Sequence, residues 1–172
     1  MIAIRYAAED DLADILEIYN QAIEKTTAVF EYRPHTLDMR RDWFRAKHAA
    51  ALPVLVALES DAVVGFASYG PFRAWPAYKY SVELSVYVDE RARGRGIGTA
   101  LVRAILDQAR SQDLHVVMAG ITSDNIVSLR LHEKQGFVEV AHIREVGYKF
   151  GRWLDLKLLQ IVLDGPREPA ES

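Results

Sequence analysis

The strongest structural signal in this chain is the stretch Ser81-Val82-Glu83-Leu84-Ser85-Val86-Tyr87-Val88, followed by Arg93-Gly94-Arg95-Gly96-Ile97-Gly98-Thr99. The first segment is predicted to be a strand and the second a glycine-rich turn that opens a helix. Glycine adopts positive φ and lets backbone approach a ligand, while the first helical turn presents free N–H groups and the positive end of the dipole. The turn is therefore a candidate pyrophosphate site, to which Arg93 and Arg95 add charge.

Two common nucleotide motifs do not fit this turn. The phosphate-binding loop of many nucleotide hydrolases ends in Gly-Lys-Ser/Thr, whereas here Gly98 is followed by Thr99-Ala100. The dinucleotide fingerprint G-x-G-x-x-G requires a spacing different from that of Gly94, Gly96 and Gly98. Because many strand-to-helix turns use glycine for geometry alone, the turn by itself does not identify its ligand.

Strands and helices alternate along the rest of the chain. Apolar residues recur at helical spacing in residues 10–24, and a second helix is predicted at 36–50 with Thr36 as its N-cap. Further strands are predicted at 2–6, 54–58, 63–68, 115–119, 137–140 and 153–163, and a further helix at 125–135 ending at Gly136. This pattern predicts one α/β or α+β domain over residues 1–164, with helices packed on the sheet faces, and a disordered tail at 165–172.

Composition excludes several classes of function. The formal net charge is −3 and the pI is about 6.0, so no basic field is available for nucleic acid. The longest apolar run, residues 49–58, contains Pro53 and is too short to span a membrane. The chain has no cysteine, and its histidines at 35, 48, 115 and 142 lack metal-ligand spacing. We expect a cytoplasmic protein without metal, nucleic acid or membrane partners.

Two motifs together resemble the coenzyme A motifs of the GNAT superfamily of acetyltransferases. The first is the strand and glycine-rich turn above, with Arg93-Gly94-x-Gly96-x-Gly98. The second is Asn125-Ile126-Val127-Ser128-Leu129-Arg130-Leu131-His132-Glu133-Lys134-Gln135-Gly136-Phe137, in the right order and at the right separation. The resemblance implies a GNAT-type central, mixed, mostly antiparallel twisted sheet with helices on both faces. It also implies acetyl-CoA as cosubstrate and direct attack by an amine in a ternary complex.

The resemblance narrows to the phosphinothricin and methionine sulfone/sulfoximine acetyltransferase branch, over about residues 3 to 164. Its supporting segments are 18–20, 26–30, 82–88 and 147–155, with Arg73, Tyr78 and the pair His132-Glu133. Two positions depart from the branch. Leu84 replaces a residue that is polar in some relatives, and Lys79 replaces a frequent arginine, which keeps the charge but loses bidentate geometry.

The cofactor-binding candidates lie in both motifs. The strand residues 86–88 are expected to offer backbone groups to the pantetheine amides, as an added strand would. Asn125 either caps its helix or binds pantetheine, and the resemblance favours binding. The full cofactor-binding set is Val86, Tyr87, Val88, Arg93, Gly94, Arg95, Gly96, Ile97, Gly98, Thr99, Asn125 and Ser128.

Glu83 and His132 are the catalytic candidates. Glu83 is a carboxylate in an otherwise apolar strand, and partial burial would raise its pKa towards that of a useful general base. The alternative is a solvated residue or an ion-pair partner, but the resemblance favours a catalytic base. His132 shares a helix face with Asn125 and Ser128. It either protonates the thiolate leaving group or replaces Glu83 as base, and the sequence does not rank these roles.

The acceptor is expected to contact a loop in which aromatic and cationic residues are mixed. Its members Arg73, Trp75, Tyr78 and Lys79 suit a small amino acid with a carboxylate. The alternative is a packed loop whose aromatic residues belong to the core and whose cations lie on the surface. Phe30 and Lys149 are second-tier substrate-binding candidates. In relatives the late hairpin reaches towards a partner subunit, which predicts a homodimer. Two other functions remain open, namely acetylation of a protein N-terminus or polyamine, and CoA binding without turnover.

Overall fold

The computed structural model describes residues 2–171 and contains one seven-stranded sheet with four α-helices. The elements are β1 (Ile2–Tyr6), α1 (Leu12–Lys25), α2 (Leu37–Ala49), β2 (Val54–Glu59), β3 (Ala62–Pro71), β4 (Ser81–Val88), α3 (Ile97–Ser111), β5 (Val116–Thr122), α4 (Ile126–Lys134), β6 (Val138–Lys149) and β7 (Arg152–Val162). The strand order is β1-β2-β3-β4-β5-β7-β6, and neighbouring strands are antiparallel except β4 and β5. The predicted fold class is confirmed.

Alternation along the central strands explains why helices cover both faces. Val56 of β2 and Phe66 of β3 pack with α1 residues such as Ile15. The intervening residues of the same strands, among them Leu55 and Ala67, pack on the opposite face with α3. Because successive strand residues point to opposite faces, each strand contributes to two hydrophobic cores.

The sheet opens between β4 and β5. Their parallel pairing covers Ser81–Glu83 and Val116–Met118 and ends there. Beyond this point β4 continues to Val88 paired with β3, and β5 continues to Thr122 paired with β7. The two strands therefore diverge after Glu83, and the edge of β4 from Leu84 onward faces a gap.

The β6 strand is much longer than the predicted strand at 137–140. Its pairing with β7 shifts register twice, between Glu139 and Ala141 and again between Ile143 and Gly147. Glu145 lies in the second irregular stretch and has a φ of 50°. These bulges break the period-two alternation of polar and apolar residues, so the sequence pattern marks only the beginning of the strand.

Lys149, at the end of β6, was predicted to contact substrate but is used for structure. Its side chain is buried, and Nζ donates hydrogen bonds to the carbonyl oxygens of Ile23 (2.5 Å), Thr26 (2.9 Å) and Val29 (2.7 Å). A lysine ammonium has three donors, and all three are occupied. Lys149 therefore caps the C-terminus of α1 and ties the loop between α1 and α2 to β6.

Two further observations concern the ends and surface of the fold. None of the helices formed by residues 2–171 is long and apolar enough to cross a membrane. After β7, the carbonyl of Gly165 lies 2.8 Å from His115 Nδ1, and the Tyr80 hydroxyl accepts a hydrogen bond from the Ala170 amide. The domain boundary at residue 164 and the disordered tail stay predictions.

We expect Lys149→Met to destabilise the protein by about 2 kcal/mol or more, because three carbonyl oxygens lose a charged donor. Urea denaturation measures this free energy of unfolding. The matched control is Lys134→Met at an exposed position on α4, which should change stability by less than about 0.5 kcal/mol. Equal stability of the Lys149 variant and the unchanged protein would contradict the capping role.

Candidate active site

The glycine-rich turn connects the open edge of β4 to α3. Gly94 and Gly96 have φ values of 80° and 81°, and Gly96 is the N-cap of α3. No atom lies within 4 Å of a Cβ added at either position, so the backbone conformation, not crowding, requires glycine there. Glycine is required at position 98 for a different reason, because a Cβ added there would lie 2.8 Å from Leu131 Cδ1 of α4. The free N–H groups of α3 and the positive end of its dipole fit an anionic pyrophosphate.

The two arginines of the turn differ in their surroundings. Arg93 Nε donates to the carbonyl oxygen of Val88 at 3.3 Å and forms no salt bridge within residues 2–171. Arg95 pairs with Glu59 at 2.7 Å and donates to the carbonyl oxygen of Arg91 at 3.1 Å. The positive charge available to a ligand at the turn therefore comes mainly from Arg93.

The open edge of β4 carries the three predicted pantetheine-binding residues. Val86, Tyr87 and Val88 pair with β3 on one side, and they lie beyond the last residues that pair with β5 on the other. Tyr87 is held in place by an edge-on contact with Tyr19 and a tilted contact with Phe66, with ring centroids 5.3 and 5.1 Å apart. Backbone groups on the β5 side are thus available to an extended ligand with amide groups.

Glu83 occupies the last paired position before β4 and β5 diverge. A Cβ added at Gly120 of β5 would lie 2.8 Å from Glu83 Oε1, so the carboxylate lies against this glycine. Burial raises the pKa of Glu83 above its ordinary value of 4.5, and the positive charge of Arg73 opposes the shift. Sequence reasoning missed Gly120, although a glycine inside a strand signals close approach by another group.

His132 is buried on α4 and has one free nitrogen. Its Nδ1 lies 2.8 Å from the carbonyl oxygen of Ser128, and since a carbonyl only accepts, Nδ1 carries the proton. Nε2 is then an acceptor, and it has no partner within the described part of the chain. Burial lowers the pKa of His132, which keeps the imidazole neutral, and Phe137 packs edge-on at 5.2 Å.

Asn125 and Ser128 lie in the first turn of α4. The side-chain oxygen of Asn125 accepts a hydrogen bond from the Ser128 amide at 3.1 Å, so Asn125 is the N-cap of the helix. Of the two roles that the sequence offers for Asn125, helix capping is therefore confirmed, and the side-chain oxygen performs it. Ser128 Oγ lies 3.4 Å from His132 Nδ1, which places the serine beside the candidate catalytic imidazole.

Only part of the aromatic loop lies near Glu83. Arg73 lies close enough for its positive charge to oppose the rise in the pKa of Glu83, and its guanidinium stacks on Phe72 at 4.1 Å. Tyr78 packs edge-on against the same phenyl ring at 5.7 Å. Trp75 is 74 % exposed and projects into solvent, and Lys79 Nζ lies 5.1 Å from the ring centre of its neighbour Tyr80.

Phe30 belongs to the loop between α1 and α2 and lies against β6. A Cβ added at Gly147 would overlap the Phe30 ring, so this glycine is what admits the phenyl group. The same loop is fixed by Tyr32, whose hydroxyl donates to the carbonyl oxygen of Tyr148 at 2.7 Å. Sequence reasoning identified Phe30 but not the need for Gly147.

Comparison with known proteins agrees with this geometry. The model of the acetyltransferase (GNAT) family matches residues 12–137. The L-amino acid N-acyltransferase MnaT of Escherichia coli is 44% identical, and the L-methionine sulfoximine/L-methionine sulfone acetyltransferase of Salmonella typhimurium is 42% identical, each over 98% of both chains. A phosphinothricin N-acetyltransferase of Streptomyces coelicolor is 39% identical over 90% of this chain and 92% of its own.

A solved structure supports the same relationship. The structure of yncA from Salmonella typhimurium, determined with its cofactor acetyl-CoA, superposes with a TM-score of 0.95. It is 42% identical in sequence, and the match covers 98% of each chain.

We expect Glu83→Gln to unfold at a higher temperature than the unchanged protein at pH 7. A carboxyl whose pKa is raised on folding destabilises the fold when ionised. This cost is absent below the ordinary pKa of 4.5 and fully present above the raised value, so the difference in Tm should vanish near pH 4. Thermal unfolding between pH 4 and pH 8 measures it, with exposed Glu133→Gln as control. A lower Tm for Glu83→Gln at pH 7 would show that the carboxylate has a stabilising partner.

Proposed function

Because this chain belongs to the acetyltransferase (GNAT) family, we propose that it transfers an acetyl group from acetyl-CoA to the amine of a small amino-acid-like acceptor. The acceptor is of the phosphinothricin, methionine sulfone or methionine sulfoximine type, as the names of its relatives suggest. The observation that carries the proposal is a half-buried carboxylate, Glu83, at the point where β4 and β5 separate. The strand that carries Glu83, β4, leads into the glycine-rich N-terminus of α3.

The residues present fit acetyl-CoA. The N–H groups at the start of α3, with Arg93, suit the pyrophosphate, and the open edge of β4 at residues 86–88 suits the pantetheine amides. The unpartnered Nε2 of His132 is a buried acceptor on the helix that carries the second motif. When bound, acetyl-CoA supplies the thioester carbon that the amine attacks.

Glu83 is proposed as the general base. Formation of the amide bond joins the amine nitrogen to the acyl carbon and breaks the carbon–sulfur bond, so the neutral amine gives up one proton and the CoA thiolate takes one up from solvent. Amino groups titrate at roughly 8 to 10, so the acceptor must lose a proton at neutral pH. The raised pKa of Glu83 makes it a better acceptor for that proton than a solvated glutamate.

His132 is proposed as a hydrogen-bond acceptor beside the reacting atoms. Its Nδ1 proton is engaged by the Ser128 carbonyl, and its free Nε2 carries none. To protonate a leaving thiolate, the ring would first have to become charged, which burial opposes. The geometry thus supports Glu83 as first base and an accepting role for His132.

The acceptor is proposed to enter between the aromatic loop and the loop that carries Phe30. Arg73, Tyr78, Trp75 and Lys79 border one side. On the other side Phe30 is fixed against Gly147, and Lys149 holds the chain behind it. This fixed loop favours a compact acceptor over a peptide.

The test is thiol release from acetyl-CoA against a panel of amines. We expect turnover with phosphinothricin, methionine sulfone and methionine sulfoximine, and little with polyamines or with peptides bearing a free N-terminus. Mass spectrometry of the product should show one added acetyl group on the amine. Turnover confined to peptides or polyamines would contradict the proposed acceptor class, and CoA binding without any turnover would contradict the enzyme itself.

We further propose a cytoplasmic homodimer formed through β6. The absence of cysteine fits a reducing compartment. The β6 strand lies at the edge of the sheet, where one unpaired strand edge together with exposed apolar side chains favours association. The large apolar residues exposed on the hairpin formed by β6 and β7 are Val138, Val140, Ile143, Val146, Tyr148, Phe150, Trp153 and Val162.

Light scattering at micromolar concentration should therefore give the mass of two chains. A charge within the exposed apolar surface should weaken association, so Ile143→Lys should shift the mass towards that of one chain. A monomeric protein with full activity would refute the homodimer.

A further inference from the structure

A pocket lies on the same face of the sheet as Glu83. It has a volume of about 190 Å³ and is enclosed by α1, α2 and the central strands. Tyr19 lines it from α1, Arg40 and Trp43 from α2, and Ser85 and Tyr87 from β4. None of the roles proposed above uses Arg40 or Trp43.

Arg40 is a buried cation without an anionic partner. Its side chain is 2 % exposed, and no aspartate or glutamate among residues 2–171 forms a salt bridge with it. The guanidinium carbon lies 4.1 Å from the ring centre of Tyr19 and 4.6 Å from that of Trp43. Nη2 donates to His35 Nδ1 at 3.2 Å, and Nε has no hydrogen-bond partner. Within the described chain this buried charge is held by the Tyr19 and Trp43 side chains and one imidazole, and it lacks the anionic partner that burial usually requires.

The other buried charges of the described chain are all compensated. Asp11 pairs with Arg5 at 2.7 Å, Asp89 pairs with Arg91 at 2.7 Å, and Lys149 binds three carbonyl oxygens. Arg40 is therefore an exception within a protein that otherwise pairs its buried charges. A buried cation of this kind in the wall of a pocket indicates a ligand that supplies the negative charge.

The pocket is within reach of the candidate base. Ser85 follows Glu83 by two residues on the same face of β4, which separates them by about 7 Å along the strand. The charge of Glu83 also contributes, after burial, to raising the pKa of Tyr87 in the pocket wall. A small amino acid with several side-chain atoms spans such a distance, with its anionic group in the pocket and its amine near Glu83.

We propose that Arg40 binds an anionic oxygen group of the acceptor, either its carboxylate or a side-chain phosphinate. This inference rests on the proposed function and specifies how the acceptor is recognised. The planar guanidinium is held between Tyr19 and Trp43, so it presents its remaining N–H groups in a fixed plane, as bidentate binding of a carboxylate or phosphinate needs. The aromatic walls cover the apolar part of the acceptor.

The test compares Arg40→Met, Arg40→Lys and the control Arg45→Met, which removes an exposed arginine from the same helix. With phosphinothricin, which carries both a carboxylate and a phosphinate, Arg40→Met should raise KM by about 30-fold or more, while KM for acetyl-CoA stays within about twofold. Arg40→Lys should recover only part of the loss because lysine lacks the planar fork. Arg45→Met should leave both KM values unchanged.

Acceptor analogues separate the two anionic sources. If the carboxylate is bound, methionine sulfone amide should show nearly the same KM with the unchanged protein and with Arg40→Met. If a side-chain phosphinate is bound, the loss should be large for phosphinothricin and small for methionine sulfone. An equal loss for every acceptor, including the amide, would overturn the proposal and make Arg40 a packing residue.

Calorimetric titration of methionine sulfone and of phosphinothricin into the CoA complex measures acceptor affinity without requiring turnover. Weaker binding to Arg40→Met for at least one of the two, with an unchanged thermal shift on adding CoA, supports the proposal. Unchanged binding of both overturns it. If the unchanged protein acetylates methionine sulfone and Arg40→Met does so with the same KM for every acceptor, the proposed function stands and this inference fails. If no amine is acetylated, the proposed function fails and the titration still decides the role of Arg40.

Discussion

The separation of β4 and β5 after the pair Glu83–Met118 is the constraint on which the candidate site depends. Parallel strands that stayed paired would use the backbone groups of residues 84–88 for the sheet and leave none for a ligand. Because they diverge, β4 has one open edge, and its chain runs directly into the glycine turn and the N-terminus of α3. The same separation leaves Glu83 at the start of the gap, against Gly120, where it is half-buried and forms no salt bridge within residues 2–171.

Two buried side-chain atoms of the described chain have no hydrogen-bond partner within it, namely Nε2 of His132 and Nε of Arg40. Leaving such an atom unsatisfied costs stability, which is why both residues enter the proposals for ligand binding. Lys149 shows the opposite case, because its ammonium is fully satisfied and serves to hold the loop that carries Phe30.

Local motifs were predictable from the sequence, whereas contacts between distant segments were not. The positive φ values of Gly94 and Gly96 follow from the turn itself, and Thr36 caps α2 as its position predicts. The length of β6 was missed because its bulges interrupt the alternation. The burial of Lys149 and of Arg40 was missed for a shared reason. The sequence alone predicts exposure for a lysine near a hairpin and for an arginine on an amphipathic helix. The elements that bury these side chains are far away in the sequence.

The central claim is that Glu83 takes the proton from the acceptor amine. Its most direct test is kcat as a function of pH for the unchanged protein, Glu83→Gln and His132→Ala, with methionine sulfone as acceptor. We expect Glu83→Gln to lower kcat at pH 7 by about 10²-fold or more, with part of the loss recovered at higher pH as the amine loses its proton in solution. Near-normal kcat in Glu83→Gln at pH 7, together with no activity in His132→Ala, would contradict it and make His132 the base.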